Sequence, residues 1–315
     1  MAADDPHSVT ILGAGSIGLS FAAVLTDCGA AVTLAEPDPE RRAAAQAGLA
    51  VQAEAIRTAG LSRGLSGALT VVAEAGDAPA TAEMVIECGP ERLEAKQAIF
   101  ADLLRRAGPA TILATASSAI PMSRILPDPE TQARCLGAHP VNPPAVLRLI
   151  ELAPAPGTTP DALDRTAALF RALGFAPVTL RREVEGFLLN RLQGAVLREA
   201  YRLVAEDVAS STDLDTVMRL GLGPRWALSG PFETAELNTP GGIVAHAERM
   251  GPAYRRMGEA RGETVDWTPE LVARVETERR AVLPAEDLPA RAAWRVGAVA
   301  RMVAARDRIE RGGDD

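Results

Sequence analysis

Short apolar runs alternate with amphipathic stretches through the first half of the chain. Ser8-Val-Thr-Ile-Leu12 is β-prone; a glycine cluster follows, then an apolar helical stretch to about Cys28, where Gly29 stops it. Further β-prone runs fall at 31–35, 69–73, 84–87, 111–115, 134–138, 147–152 and 176–180. Between them the pattern predicts one or two short helices over 39–59, a helix over 91–107 closed by Gly108-Pro109, and another over 160–173. Strands alternating with helices imply parallel β-α-β units and a doubly wound, Rossmann-type sheet. From Glu183 the pattern changes: Val184, Leu188, Leu192, Val196 and Tyr201 recur at helical spacing across 184–209, with no β-prone run. The remainder stays helical, punctuated by Gly221, Gly223, Gly230-Pro231 and Pro240-Gly241-Gly242. The expectation is an α/β domain over residues 1–182 and an all-helical C-terminal domain over 183–315, with the boundary at 181–185 and a frayed tail from Arg311.

Composition narrows the function classes. The 315 residues are 47% hydrophobic and 23% charged, which excludes a disordered chain. The net charge is −8 and no basic block stands out, which argues against a nucleic-acid or anionic-membrane surface. The longest apolar stretch, Val9 to Leu25, is interrupted by Gly13, Gly15, Ser16 and Gly18 and reads as strand–turn–helix rather than a membrane span. Cys28, Cys88 and Cys135 form no CxxC or Cys/His spacing, so neither a disulfide framework nor a metal site is expected. Free thiols and an acidic start unlike a signal peptide point to the cytoplasm. Lys96 is the only lysine among 33 basic residues, which singles out its position in an Arg-rich chain.

Gly13-Ala-Gly15-Ser16-Ile17-Gly18 matches G-x-G-x-x-G. The hexamer alone is weak, but here it follows a strand, opens a helix and has Glu36 at the end of the next strand. Gly13 permits the tight turn, Gly15 clears space for a pyrophosphate, and Gly18 allows close packing of the helix. The N–H groups of Ser16 and Ile17 lie at the positive end of that helix. A carboxylate at 36 suits both ribose hydroxyls and repels a 2′-phosphate, so the cofactor is expected to be NAD, although Arg41 and Arg42 lie nearby.

Of three histidines, His7 falls in an expected loose arm and His246 in a helical stretch. His139 follows a strand and opens His139-Pro-Val-Asn142-Pro-Pro144, whose three prolines fix the loop. Twelve residues on, Glu151 sits in the next apolar strand; a carboxylate there needs a partner if buried, and the imidazole is a natural one.

These stretches together resemble the L-3-hydroxyacyl-CoA dehydrogenase superfamily, in particular its branch of lambda-crystallin and L-gulonate 3-dehydrogenase. The similarity is carried by 13–18, 86–100 (IECGPERLEAKQAIF), 114–121 (ATASSAIP), 137–144 (GAHPVNPP), 149–152 (LIEL), 184–193 (VEGFLLNRLQ), 221–238 (GLGPRWALSGPFETAELN) and 288–295 (LPARAAWR), nearly the whole chain. The resemblance implies a general-base histidine at His139, an orienting glutamate at Glu151, a catalytic serine at Ser118 and a catalytic asparagine at Asn190. It places the residues near the nicotinamide side of the cofactor at Glu91 and Lys96. The family's Thr-Ser-Ser is Ser117-Ser118-Ala119 here, which leaves the choice between the two serines to the alignment. The implied activity is NAD-dependent oxidation of a small 3-hydroxy acid of the L-gulonate type, with a homodimer as the assembly; Asn142 is a candidate substrate contact, and Arg225, in Gly223-Pro-Arg-Trp226, is the candidate clamp for the substrate carboxylate by bidentate geometry. An acyl-CoA substrate is the alternative, with Arg41, Arg42, Arg57 and Arg63 as phosphate partners. Carnitine, whose quaternary ammonium favours an aromatic cage, is a third option in a chain only 3% aromatic. A non-catalytic, nucleotide-binding crystallin-like protein is the reading from a different class.

Overall fold

A computed structural model of the chain describes residues 6–76, 78–262 and 268–291, together with 294, 305 and 308. The expected frayed tail and part of 288–295 lie outside the described residues. The chain falls into two compact units, Met1–Val196 and Leu197–Asp315.

The first unit opens with β1 (Ser8–Leu12), α1 (Ser16–Asp27), β2 (Ala31–Ala35), α2 (Pro39–Thr58), β3 (Leu69–Val72), α3 (Ala78–Thr81) and β4 (Met84–Glu87). It continues with α4 (Leu93–Arg106), β5 (Ile112–Thr115), α5 (Met122–Ile125), β6 (Cys135–Pro140), β7 (Leu149–Pro154), α6 (Pro160–Ala172), β8 (Ala176–Thr179) and the start of α7 (Leu189–Ala205). The eight strands form one sheet in the order β3-β2-β1-β4-β5-β6-β7-β8. Strand order reverses between β1 and β4, the switch point at which doubly wound sheets bind ligands. One face is covered by α1, α2 and α6, where Phe21, Phe170 and Phe175 stack within 5.6–6.2 Å of one another. Phe100 and Leu103 of α4 and Met122 and Ile125 of α5 fill the other face.

Several elements depart from the sequence pattern, each for a local reason. Residues 39–58 form one helix rather than two: Asp38 caps it through the N–H groups of Glu40 and Arg41, Pro39 opens it, and Ala45, Leu49 and Ile56 are its buried stripe. Gly48 does not break it; a methyl there would sit 2.7 Å from Leu19, so the glycine lets α2 lie close on α1. The helix expected from 184 starts only at Leu189, because Gly186 (φ 76°) and Phe187 (φ 48°) take left-handed conformations. His7 is not loose; its Nδ1 lies 2.8 Å from Glu83. His139 lies within β6 rather than after it, and β6 pairs with β7 antiparallel. The link 141–148 is too short for the crossover a parallel pair needs.

The second unit holds the rest of α7, then α8 (Ser211–Val217), α9 (Gly223–Leu237), α10 (Gly242–Glu259) and α11 (Pro269–Val282). Ser210 and Asp213 form a capping box on α8. Gly230, at φ 58°, kinks α9 just before Pro231. The Glu236 carboxylate is fully buried and held by Arg279 at 2.9 Å and by Arg280, which ties α11 to α9. No helix among the described residues is long and apolar enough to cross a membrane.

Candidate active site

The glycine loop separates internal from external constraints. Gly13 has φ 107°, and a methyl on it would lie 2.8 Å from the Cys88 carbonyl oxygen. A methyl on Gly18 would lie 1.9 Å from the Gly13 carbonyl oxygen, so Gly18 is needed for the turn to close on its own helix. A methyl on Gly15 would meet nothing within 4 Å. The protein itself does not need a bare position there; a phosphate approaching the backbone does. The N–H groups of Ser16 and Ile17, at the first turn of α1, have no intrahelical acceptor, and no capping side chain or acidic residue of that turn takes their place. Glu36 is buried; its Oε2 accepts the Ala14 N–H at 2.8 Å and its Oε1 the Asp38 N–H at 3.0 Å. A carboxylate retains lone pairs beyond two such bonds for ribose hydroxyls. Arg42 is spent on the Glu36 and Pro37 carbonyls, at 2.8 and 3.1 Å, rather than offered to a phosphate. Gly13, Gly15, Glu36, Arg41, Cys88 and Gly89 line a cavity of about 710 Å³, within the range of cofactor sites. These residues fit NAD.

Beside this cavity lies a charge cluster, buried at Glu87 and Lys96 and open to solvent at Glu91. Glu87, at the end of β4, and Lys96, on α4, are essentially unexposed, and Lys96 Nζ lies 2.9 Å from both Glu87 oxygens. Lys96 also reaches Glu91 at 3.3 Å, and Glu91 accepts from the Ser117 hydroxyl and from the Ala119 N–H at 3.2 Å. Burial raises the pKa of Glu91, but the Ser117 hydroxyl, Lys96 and the Ala119 N–H prevail and hold it below the ordinary carboxylate value. Burial pushes the Cys88 thiol up, and Cys135 up to about 11, so both are poor nucleophiles.

The expected histidine–glutamate pair meets across two strands. His139 and Glu151 are opposite each other in the β6/β7 register, and His139 Nδ1 lies 2.8 Å from Glu151 Oε2. Both side chains are buried, and the Phe187 ring stands 5.3 Å from the imidazole. The other oxygen, Glu151 Oε1, accepts the N–H groups of Leu188 and Leu189 at 2.8 and 2.9 Å, at the very start of α7. Burial alone would raise the pKa of Glu151; the hydrogen bond from His139 and the two backbone donors prevail and lower it. The next residue, Asn190, donates from Nδ2 to the Ser118 carbonyl at 3.2 Å. Ser118, His139, Glu151 and Asn190 therefore all belong to the first unit and are joined through the beginning of α7. An imidazole held at Nδ1 by a carboxylate presents Nε2 as a base. Asn142 lies exposed just past β6. In the second unit, Arg225 donates from Nε to the Gly221 carbonyl at 3.1 Å and lines a cavity of about 480 Å³ with Trp226, Phe232, Asn238, His246 and Tyr254.

Sequence reasoning missed Glu87 and set Ser117 aside in favour of Ser118. Glu87 had a signal, a lone acid closing the apolar run Met84-Val-Ile, nine residues before the only lysine. Nothing local distinguished Ser117 from Ser118. Among the described residues no group of three or more His, Cys, Asp or Glu is placed to hold a metal ion.

Residues 8–184 match the family model of the NAD-binding domain of 3-hydroxyacyl-CoA dehydrogenase, and residues 186–281 that of its C-terminal domain. A lambda-crystallin homolog of Bos taurus is 38% identical, over 94% of this chain and 95% of that protein. An L-carnitine dehydrogenase of Streptomyces griseus is 34% identical, over 80% and 76%. Among solved structures, 5-formyl-3-hydroxy-2-methylpyridine 4-carboxylic acid 5-dehydrogenase, an NAD+ dependent dismutase, superposes with a TM-score of 0.71 at 26% identity, covering 98% of this chain and 100% of that one. Fold, glycine loop and relatives define an NAD-dependent oxidoreductase. The chain belongs to the 3-hydroxyacyl-CoA dehydrogenase family.

Gly15→Ala should keep the wild-type Tm and weaken NADH binding by about tenfold or more, whereas Gly18→Ala should lower the Tm sharply. Thermal melts and a fluorescence titration with NADH separate the two; equal destabilisation by both would contradict the open space at Gly15. The folded pKa of Glu151 is depressed, so its stabilisation is complete above the unfolded carboxylate value of about 4.3 and is lost as the pH falls through the folded value. The Tm gap between wild type and Glu151→Gln should accordingly be widest near neutrality and close in acid; a gap independent of pH would contradict the bonding at this carboxylate.

Proposed function

We propose that the protein oxidises the 3-hydroxyl of a small 3-hydroxy acid, of the L-gulonate type, with transfer of the hydride to NAD. The observation that carries this reading is the His139–Glu151 pair, tied through the start of α7 to Asn190 and Ser118 in the unit that bears the glycine loop. His139 takes the hydroxyl proton on Nε2, as an imidazole working near neutrality can. Glu151 fixes the tautomer by accepting a hydrogen bond from Nδ1–H and balances the imidazolium that forms. The Ser118 hydroxyl and the Asn190 amide hold the reacting oxygen, and Asn142 is a further substrate contact. Bound NAD would supply the hydride acceptor; Gly13, Gly15, Ser16, Ile17, Gly18 and Glu36 would hold it, and Glu91 and Lys96 would serve its nicotinamide end. Arg225 is the candidate bidentate partner for a carboxylate in the cavity of the second unit.

A small acid is favoured over an acyl-CoA by the arginines that follow β2. Arg42 is held by backbone carbonyls, Arg57 pairs with Glu54, and Arg63 donates to the Ala172 carbonyl at 2.7 Å. Only Arg41 of the four lines the cofactor cavity. A retained set of His139, Glu151, Ser118 and Asn190 weighs against a purely structural role.

A homodimer completes the proposal. α7 is strongly amphipathic and buries no residue, and Leu192, Tyr201 and Val204 on it stand exposed. Light scattering should give twice the chain mass for wild type and a smaller species for the Leu192→Glu, Tyr201→Glu double variant; a monomeric wild type would reject the dimer.

NADH formation should be measured with L-gulonate, L-3-hydroxybutyrate, L-carnitine and 3-hydroxybutyryl-CoA, each with NAD and NADP. L-Gulonate with NAD should give the highest kcat/KM. His139→Asn should lose kcat about a thousandfold while NADH affinity stays within about twofold. Turnover of the CoA thioester alone would overturn the substrate class, and NADH binding without turnover of any substrate would favour the structural reading.

A further inference from the structure

We infer that Ser117 is a positioning residue, locked by the Glu87–Lys96–Glu91 cluster, and that it sets the turn from which Ser118 meets the substrate. The inference rests on the reading that Ser118 touches the reacting oxygen.

The two adjacent serines are in opposite situations. Ser117 is 2% exposed and its hydroxyl is fully used: it donates to Glu91 Oε1 and accepts the N–H groups of Ile120 at 2.8 Å and Ala119 at 3.3 Å. A hydroxyl offers one donor and two acceptor sites, so none is left for a ligand. Ser118 is exposed, and its carbonyl is the one that Asn190 grips. Ser117 thus shapes the 117–120 turn from inside, and Ser118 stands on its outer surface.

The grip on Ser117 is a closed ring. Its backbone N–H donates to Thr115 Oγ1 at 3.2 Å, and Thr115 Oγ1 donates to Glu87 Oε2 at 2.7 Å. From Glu87 the ring passes to Lys96 at 2.9 Å, to Glu91 at 3.3 Å, and back to the Ser117 hydroxyl. A buried ion pair of Glu87 and Lys96 would be neutral without Glu91. The third charge leaves the cluster with one carboxylate in excess, and that carboxylate spends Oε1 on the Ser117 hydroxyl and the Ala119 N–H. Lys96 holds two carboxylates at a fixed distance, and Glu91 transmits that position to the turn.

The test uses Ser117→Ala, Ser117→Thr, Ser118→Ala and the Ser117→Ala, Ser118→Ala double variant in the full chain. Ser117→Ala should lower kcat about tenfold or more with NADH affinity within about twofold, and Ser117→Thr, which keeps the hydroxyl, should restore it. Because Ser117 acts through Ser118, the double variant should be no slower than Ser118→Ala alone; losses that multiply would overturn the inference. Amide hydrogen exchange gives a readout free of activity. The Ala119 and Ile120 amides should be protected in wild type and Ser117→Thr and exchange faster in Ser117→Ala; unchanged protection would also overturn it. If exchange behaves as stated but Ser118→Ala turns over at the wild-type rate, the turn lock stands and the assignment of Ser118 to the substrate falls.

Discussion

One buried carboxylate organises the candidate site. Glu151 carries charge in a place that water does not reach, and such a group persists only when donors within the protein replace the lost water. It finds three: His139 Nδ1 from the neighbouring strand and two successive backbone N–H groups where α7 begins. The same bonds that make the charge tolerable bring β6, β7 and α7 together at one point. The positive end of a helix adds to the compensation, since its first N–H groups have no acceptor within the helix. Asn190 follows immediately and reaches the carbonyl of Ser118, so the loop after β5 is drawn into the same framework. The four residues are joined through one side-chain pair, the backbone at the start of α7 and the Ser118 carbonyl, and the arrangement follows from the electrostatic needs of one residue.

The cofactor loop follows a complementary logic. Gly13 and Gly18 are required by the contacts of the protein with itself, while Gly15 is bare without internal cause. Glu36 does two things: its side chain stabilises the loop through the Ala14 N–H and its position bars a 2′-phosphate. The absence of a capping side chain on α1 contrasts with α2, α6, α8 and α11, all of which have one. Among the helices without a side-chain cap, α1 is the one that follows the glycine loop at the sheet's switch point.

The doubly wound half and the helical remainder were legible because apolar periodicity changes character near residue 183 and because the glycine loop carries its own context. His139 and Glu151 were legible as a pair because a strand-borne acid needs a partner. Their exact opposition was not read, although the short link between 140 and 149 already excluded a parallel crossover. The late start of α7 was hidden: Phe187 at positive φ is a choice made by tertiary packing against Ala153 and Leu180, and local propensity does not report it. Glu87 and the structural part of Ser117 were not read for a similar reason. Their meaning depends on Thr115, Lys96 and Glu91, which only the folded sheet brings around them.

The solitary lysine has a consequence for chemistry applied to the molecule from outside. Lys96 is 1% exposed and its ammonium sits between two carboxylates. Every other cationic side chain that is not a histidine is an arginine. Acylating reagents, amine crosslinkers, and enzymes that attach acetyl groups or ubiquitin to lysine therefore meet no accessible side-chain amine on the native fold. Labelling of residue 96 would report that the folded chain had opened.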